Sequence, residues 1–374
     1  MRQARIVRKL EKTETYWKVK WQTQMRLGKL SLLDRFLPIW ILAAMSLGIF
    51  LGKALPNIQS AIDSVKVGQT SLPIAVGLFL MIYPVLTKVH YEDMGKVTAD
   101  RKLLWASLFL NWIVGPALMF ILAWTFLSDQ PALRTGLIII GLARCIAMVL
   151  IWNELACGDR EAGALLVAIN SIFQILAYAL LGTFYLKILP QWLGLSIQDV
   201  TFSTSEITKA VLIFLGIPLT AGFLTRFVGV KRKGKDWYNE KFMPKISPVA
   251  LYGLLFTITI MFALQGNSIV KDPITIARIA VPLLIYFAIM WGAAFFTGKK
   301  IGLEYAKTAT LAFTAAGNNF ELAIAVSIGV WGVTSGQALT GVIGPLIEVP
   351  ALVALVYLSL WLRGKFQNPI SYPA

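Results

Sequence analysis

The sequence holds one histidine and two cysteines, and only 14% of its 374 residues are charged. A single histidine excludes the paired-histidine sites of zinc hydrolases. That residue, His90, reads as a solvated loop residue beside Tyr91, Glu92 and Asp93. Two cysteines are too few for a disulfide framework. Cys145 and Cys157 fall in one expected helix region, and a continuous helix would hold them too far apart to bridge. Cys157 is equally too distant to resolve a thiol redox step at Cys145. Acidic residues are scarce, 19 against 35 Lys and Arg, and no aspartate lies inside an apolar run, which excludes an intramembrane aspartyl protease. Gly229 to Lys235 imitates the first part of a phosphate loop. Asp236 then stands where Ser or Thr would hold magnesium, and no strand precedes it. The chain reads as neither an enzyme nor an ATP-driven pump, and no cofactor is implied.

Apolar residues are what the chain has in abundance. They make up 57% of it, and the mean hydropathy is +0.69. Runs of about 20 such residues span a bilayer as helices. Ten runs can be traced, at about 36–55, 71–89, 103–127, 133–156, 162–189, 207–229, 246–265, 274–297, 308–332 and 337–362. Several contain proline, which membrane helices tolerate. The expected fold is an all-α integral membrane protein of ten transmembrane helices. The net charge of +16 then reports topology rather than nucleic-acid binding. With the N-terminus inside, twenty-seven of the 35 Lys and Arg fall on inner segments and seven on outer ones, Arg144 being within the membrane. Both termini are therefore expected in the cytoplasm of a plasma (inner) membrane protein. Residues 1–35 are basic, with Val7, Leu10, Trp17, Trp21 and Met25 near helical spacing. They read as an amphipathic surface helix or a disordered tail.

The second half echoes the first. Residues from Ala162 align without gaps to those from Gly336, matching Ala164 with Ala338, Leu165 with Leu339 and Ile169 with Ile343, and placing Gln174 opposite Glu348. The same offset sets Cys145 opposite Asn319. Five spans per half make the halves enter the membrane from opposite sides, an inverted repeat. The expected organisation is a cytoplasmic segment 1–35, a first five-helix repeat 36–190, an external connection 191–206, a second repeat 207–363 and a cytoplasmic tail 364–374.

Two of the ten runs carry polar residues at mid-membrane depth. Arg144 and Cys145 lie near the middle of the fourth, and an Arg there costs at least about 2.5 kcal/mol unless it faces a cavity or a partner. Gly317, Asn318, Asn319 and Glu321 lie in the middle of the ninth, where glycine and amides favour a break. Discontinuous helices with polar residues at the midplane are the usual substrate site of secondary transporters.

The strings that carry these residues are Gly141-Leu-Ala-Arg-Cys-Ile-Ala-Met-Val149, Trp152-Asn-Glu-Leu-Ala-Cys-Gly-Asp159, Ala168-Ile-Asn-Ser-Ile-Phe-Gln-Ile175, Ala316-Gly-Asn-Asn-Phe-Glu-Leu-Ala-Ile-Ala325 and Gly344-Pro-Leu-Ile-Glu-Val-Pro350. From about Leu33 to Arg363 the chain resembles the arsenical-resistance arsenite permeases of the bile-acid, arsenite and riboflavin transporter group. The resemblance implies ten spans in two inverted halves, discontinuous crossing helices four and nine, and arsenite efflux. It also implies a functional Cys in span four and a functional Glu in span nine, here Cys145 and Glu321.

Arsenous acid is small, neutral near pH 7, and offers a soft As(III) centre with three hydroxyls. Cys145 suits the soft centre, as the one thiol ligand to a metalloid substrate. Arg144 is expected either as a strut between the crossing helices or as a substrate contact. Asn318 and Asn319 are expected to cap the broken helix, to bind substrate hydroxyls, or both. Glu321 is the expected proton carrier or gate, neutral when protonated and able to meet Arg144 when ionised. Glu348 and Gln174 are further candidates, and Glu154 reads as a gate or a solvated residue. The expected partners are arsenite, protons as coupling ion, the lipid bilayer and, by the same chemistry, antimonite. A sodium-coupled symporter of small organic anions is the alternative.

Overall fold

The computed structural model describes residues 36–55, 57–67, 70–89, 100–146, 148–195, 203–271, 273–364 and 366. The basic segment 1–35, His90, residues 196–202 of the connection 191–206 and most of the tail 364–374 lie outside them. The described chain is built from helices: α1 Leu37–Ala54, α2 Ile58–Asp63, α3 Leu72–Thr87, α4 Arg101–Phe126, α5 Pro131–Leu142, α6 Met148–Leu155 and α7 Arg160–Trp192. There follow α8 Thr204–Lys233, α9 Met243–Lys271, α10 Pro273–Lys300, α11 Tyr305–Ala316, α12 Phe320–Trp331 and α13 Gly336–Arg363. A two-residue antiparallel ladder, β1 Lys66–Val67 and β2 Thr70–Ser71, precedes α3; no alternation in the sequence announced it. Among the described residues six helices are long and apolar enough to cross a membrane, and α1, α3, α5 and α12 are shorter apolar helices.

Proline shapes the long helices in a regular way. π-Helical turns occur at Leu110–Val114, Phe184–Ile188, Leu212–Gly216 and Tyr238–Phe242. Each is followed two residues later by a proline: Pro116, Pro190, Pro218 and Pro244. A proline ring clashes with the carbonyl four residues back. Here that carbonyl always sits inside the widened turn, so the helix continues through the proline instead of breaking.

The helices pack as two groups. α9 lies against α1 and α3, and α3 lies also against α8. Gly48 and Gly52, one turn apart on α1, bring it onto α9. A Cβ at these positions would stand 2.5 Å from the Thr259 carbonyl oxygen and 2.3 Å from that of Ala263. This is small-residue packing, in which backbones approach because side chains are missing. The second group gathers α4, α5, α10, α11, α12 and α13. Between the groups, the start of α8 packs on α7 and α12.

The expected fourth and ninth spans are each broken in two. α5 and α11 contain 12 residues apiece. Ala143 and Gly317, just beyond them, are extended (ψ 116 and 138), and the chain resumes as α6 and α12. Cys145 and Cys157 therefore do not share a continuous helix. Each end of α5 stands 174 residues before its counterpart in α11.

Candidate functional site

The two breaks meet. Arg144 and Asn318 form an isolated antiparallel bridge. The Asn319 N–H donates to the Ala143 carbonyl (3.0 Å), and the Cys145 N–H to the Gly317 carbonyl (3.3 Å). All three pairings join positions that are exchanged by the same 174-residue offset. Backbone groups freed at the breaks thus satisfy one another, as a membrane interior requires.

Side chains complete the accounting. A helix C-terminus leaves its last carbonyls without intrahelical partners. At the end of α5, the Ile139 carbonyl accepts from the Tyr178 hydroxyl (2.9 Å), the Ile140 carbonyl from Asn318 Nδ2 (2.8 Å), and the Gly141 carbonyl from Arg144 Nη2. Arg144 Nη1 reaches the Tyr286 hydroxyl on α10 (2.8 Å) and the Ala315 carbonyl near the end of α11 (3.4 Å). Gln174 on α7 accepts the Arg144 backbone N–H, and the Glu348 carboxyl on α13 faces that of Asn318. Asn319 caps α12 by accepting from the Leu322 N–H (2.9 Å), a bond of about 1 kcal/mol. Cys145 Sγ accepts the Val149 N–H (3.3 Å) in the first turn of α6, so the sulfur sits at a helix N-terminus.

Arg144, Cys145, Asn318, Asn319, Gln174 and Glu348 are therefore brought together, all of them buried. Five side-chain atoms among them have no hydrogen-bond partner among the described residues: Arg144 Nε, Asn318 Oδ1, Asn319 Nδ2, Gln174 Nε2 and one Glu348 oxygen. Glu321 is half-buried in the first turn of α12, within electrostatic range of Glu348. The expected Arg144–Glu321 contact does not form. The guanidinium is taken up by the two carbonyls and the hydroxyl. Glu154 lies away from the crossing, toward the end of α6, paired with the exposed Arg160. Cys157 is buried in a turn with φ 59, and neither cysteine is in a disulfide. Beneath that turn, Asn153, Asp159 and Thr310 bond one another and tie the end of α6 to α11.

Sequence reasoning missed Tyr178 and Tyr286. Both are fully buried, and both spend their hydroxyls on the crossing. A tyrosine inside an apolar run was the available signal. It also missed Gly115, which follows the π-turn of α4. A Cβ there would stand 2.9 Å from Arg144 Nη1 and 3.0 Å from the Tyr286 hydroxyl.

The family model described as the sodium bile acid symporter family matches residues 75–272. The arsenical-resistance protein Acr3 of Corynebacterium glutamicum is 54% identical over 94% of this chain and 96% of its own length. The chain belongs to the Acr3 arsenical-resistance family. The Acr3 protein of Alkaliphilus metalliredigens is 31% identical over 89% of the chain and 94% of its own length. An uncharacterized transporter of Synechocystis is 34% identical over 88% of each chain. Within this Acr3-family chain, two aspartates just outside the helices are each held by a cation from a helix. Lys307 Nζ stands 2.5 Å from Asp100, the N-cap of α4, and its hydrogen bond holds the Asp100 carboxyl below the usual carboxylate range. Arg278 does the same for Asp129 in the turn before α5.

Proposed function

We propose that this chain is a secondary active exporter of arsenite that works by alternating access around the crossing of its two broken helices. The observation that carries the reading is the placement of Cys145 beside the Arg144–Asn318 bridge, where five buried polar atoms have no partner among the described residues. A soft sulfur with donors and acceptors around it matches a neutral As(III) centre bearing three hydroxyls. One thiol binds weakly enough to release the metalloid, and antimonite fits the same set. The names of two relatives, arsenical-resistance proteins, agree with this substrate.

The architecture is ten traversals in two inverted repeats. Six long helices, the shorter α1 and α3, and the pairs α5–α6 and α11–α12 supply ten. The 174-residue offset that exchanges the crossing bonds supports the repeat. The excess of Lys and Arg on inner segments supports cytoplasmic termini, in a protein read here as one of the plasma membrane. Export against a gradient draws on an ion, and protons are the reading favoured here. Glu321 and Glu348 sense each other's charge. A proton on either carboxyl removes their repulsion and so biases the packing of α12 against α13.

Everted vesicles loaded with radioactive arsenite under imposed gradients test this. Uptake driven by a proton gradient and indifferent to sodium is expected. A strict sodium requirement moves the reading to the organic-anion symporter, which the description of the matching family favours.

A further inference from the structure

We propose that the Arg144 guanidinium is a resident cation, filling at the meeting of the two half-helices the place that an inorganic coupling cation takes in sodium-driven carriers. The inference deepens the proposed function and rests on it only for the transport readout.

Three observations converge. First, α5 and α11 both end at the crossing with their C-termini toward Arg144. Each helix C-terminus carries roughly half a negative charge, so two of them balance about one cation. Second, the groups around Nη1 and Nη2 are neutral oxygens: the Gly141 and Ala315 carbonyls and the Tyr286 hydroxyl. Such oxygens are what a hard cation selects, and carriers with broken helices coordinate sodium at half-helix C-terminal ends and unwound carbonyls. Third, no carboxylate does this work. Among the described residues the ion pairs are Arg160 with Glu154, Arg278 with Asp129 and Lys307 with Asp100, and none involves Arg144.

The counterpart position carries no second charge: Asn318 also reaches carbonyls at the end of α5, those of Ile140 and Ala143, with a neutral amide. Gly115 leaves the room, since a side chain there meets both the guanidinium and its hydroxyl partner. A tethered cation cannot dissociate. A sodium gradient therefore has no purchase at this place, and the movable charge falls to the carboxyls. Arg144 is on this view a positioning residue that holds the half-helices together, which decides between the strut and the substrate contact expected from sequence.

The test uses the full chain carrying Arg144→Ala, in vesicles and as purified protein. Arsenite transport is expected to fall at least about tenfold. Millimolar guanidinium chloride should restore part of it and raise the melting temperature of the variant by several degrees, while tetramethylammonium chloride at equal ionic strength does neither. The unmodified protein should melt and transport alike in sodium and choline media. Stabilisation of the unmodified protein by sodium, or a folded Arg144→Ala variant that ignores guanidinium in the melting assay, overturns the proposal. Should Arg144→Ala fail to accumulate, the sodium comparison on the unmodified protein still decides. The melting assay needs no arsenite, so an inactive unmodified protein would count against the proposed function and leave this inference to be judged by its own readout.

Discussion

The two breaks, Ala143–Cys145 and Gly317–Asn319, are alike in backbone and unlike in chemistry. Their bridge and their two exchanged hydrogen bonds map onto each other under one offset. Gln174 and Glu348 stand at the backbone N–H of matching residues, Arg144 and Asn318. Yet one break presents a cation and a soft sulfur, and the other presents two amides with a carboxylate two residues on. Membrane backbones must satisfy their polar groups internally, and this makes the crossing symmetric. Under the proposed function a solute and a proton need distinct partners, which accounts for the asymmetric side chains. The common plan holds the site together, and the departures from it give the site its function.

Breaking the asymmetry at its sulfur should have the largest effect. Cys145→Ser is expected to abolish arsenite resistance in sensitised cells, whereas Cys157→Ser, away from the crossing, keeps most of it. Full resistance from the first variant at normal expression would remove the ligand role. Glu321→Gln comes next. It mimics the protonated carboxyl permanently, so proton-driven net transport should stop while arsenite–arsenite exchange persists. Ordinary proton-driven uptake by this variant in everted vesicles would clear Glu321 of carrying the proton.

Smaller changes sharpen the comparison without destroying it. Tyr286→Phe removes a hydroxyl that serves the charged break, and Tyr178→Phe one that caps only a carbonyl. Each should destabilise by about 1 kcal/mol. Transport should suffer more in Tyr286→Phe, and equal losses would argue that Arg144 needs no such support. The smallest effect belongs to Asp100→Asn, outside the crossing. The native carboxylate is held below its unfolded pKa by Lys307, so it stabilises above that value and loses the contribution as pH falls through its folded one. The melting difference between variant and native should therefore be present at neutral pH and vanish at strongly acidic pH. A difference that persists there would mean that the contact is not electrostatic. Arg278 and Asp129 offer the same comparison on the turn before α5.

Sequence alone determined the class, the family resemblance and the two interrupted runs, because apolar length and buried charge are penalised locally, residue by residue, in a bilayer. It brought Cys145, Arg144, Asn318, Asn319 and Glu321 forward for the same reason, and paired Gln174 with Glu348 through the offset. Partners across the membrane interior were decided only by tertiary structure. Arg144 could have met Glu321, which charge alone left open as one alternative. It met two helix ends and Tyr286 instead, because both half-helix C-termini converge there and Gly115 leaves space. Convergence of that kind depends on how two segments 174 residues apart are packed together, and no local pattern records it.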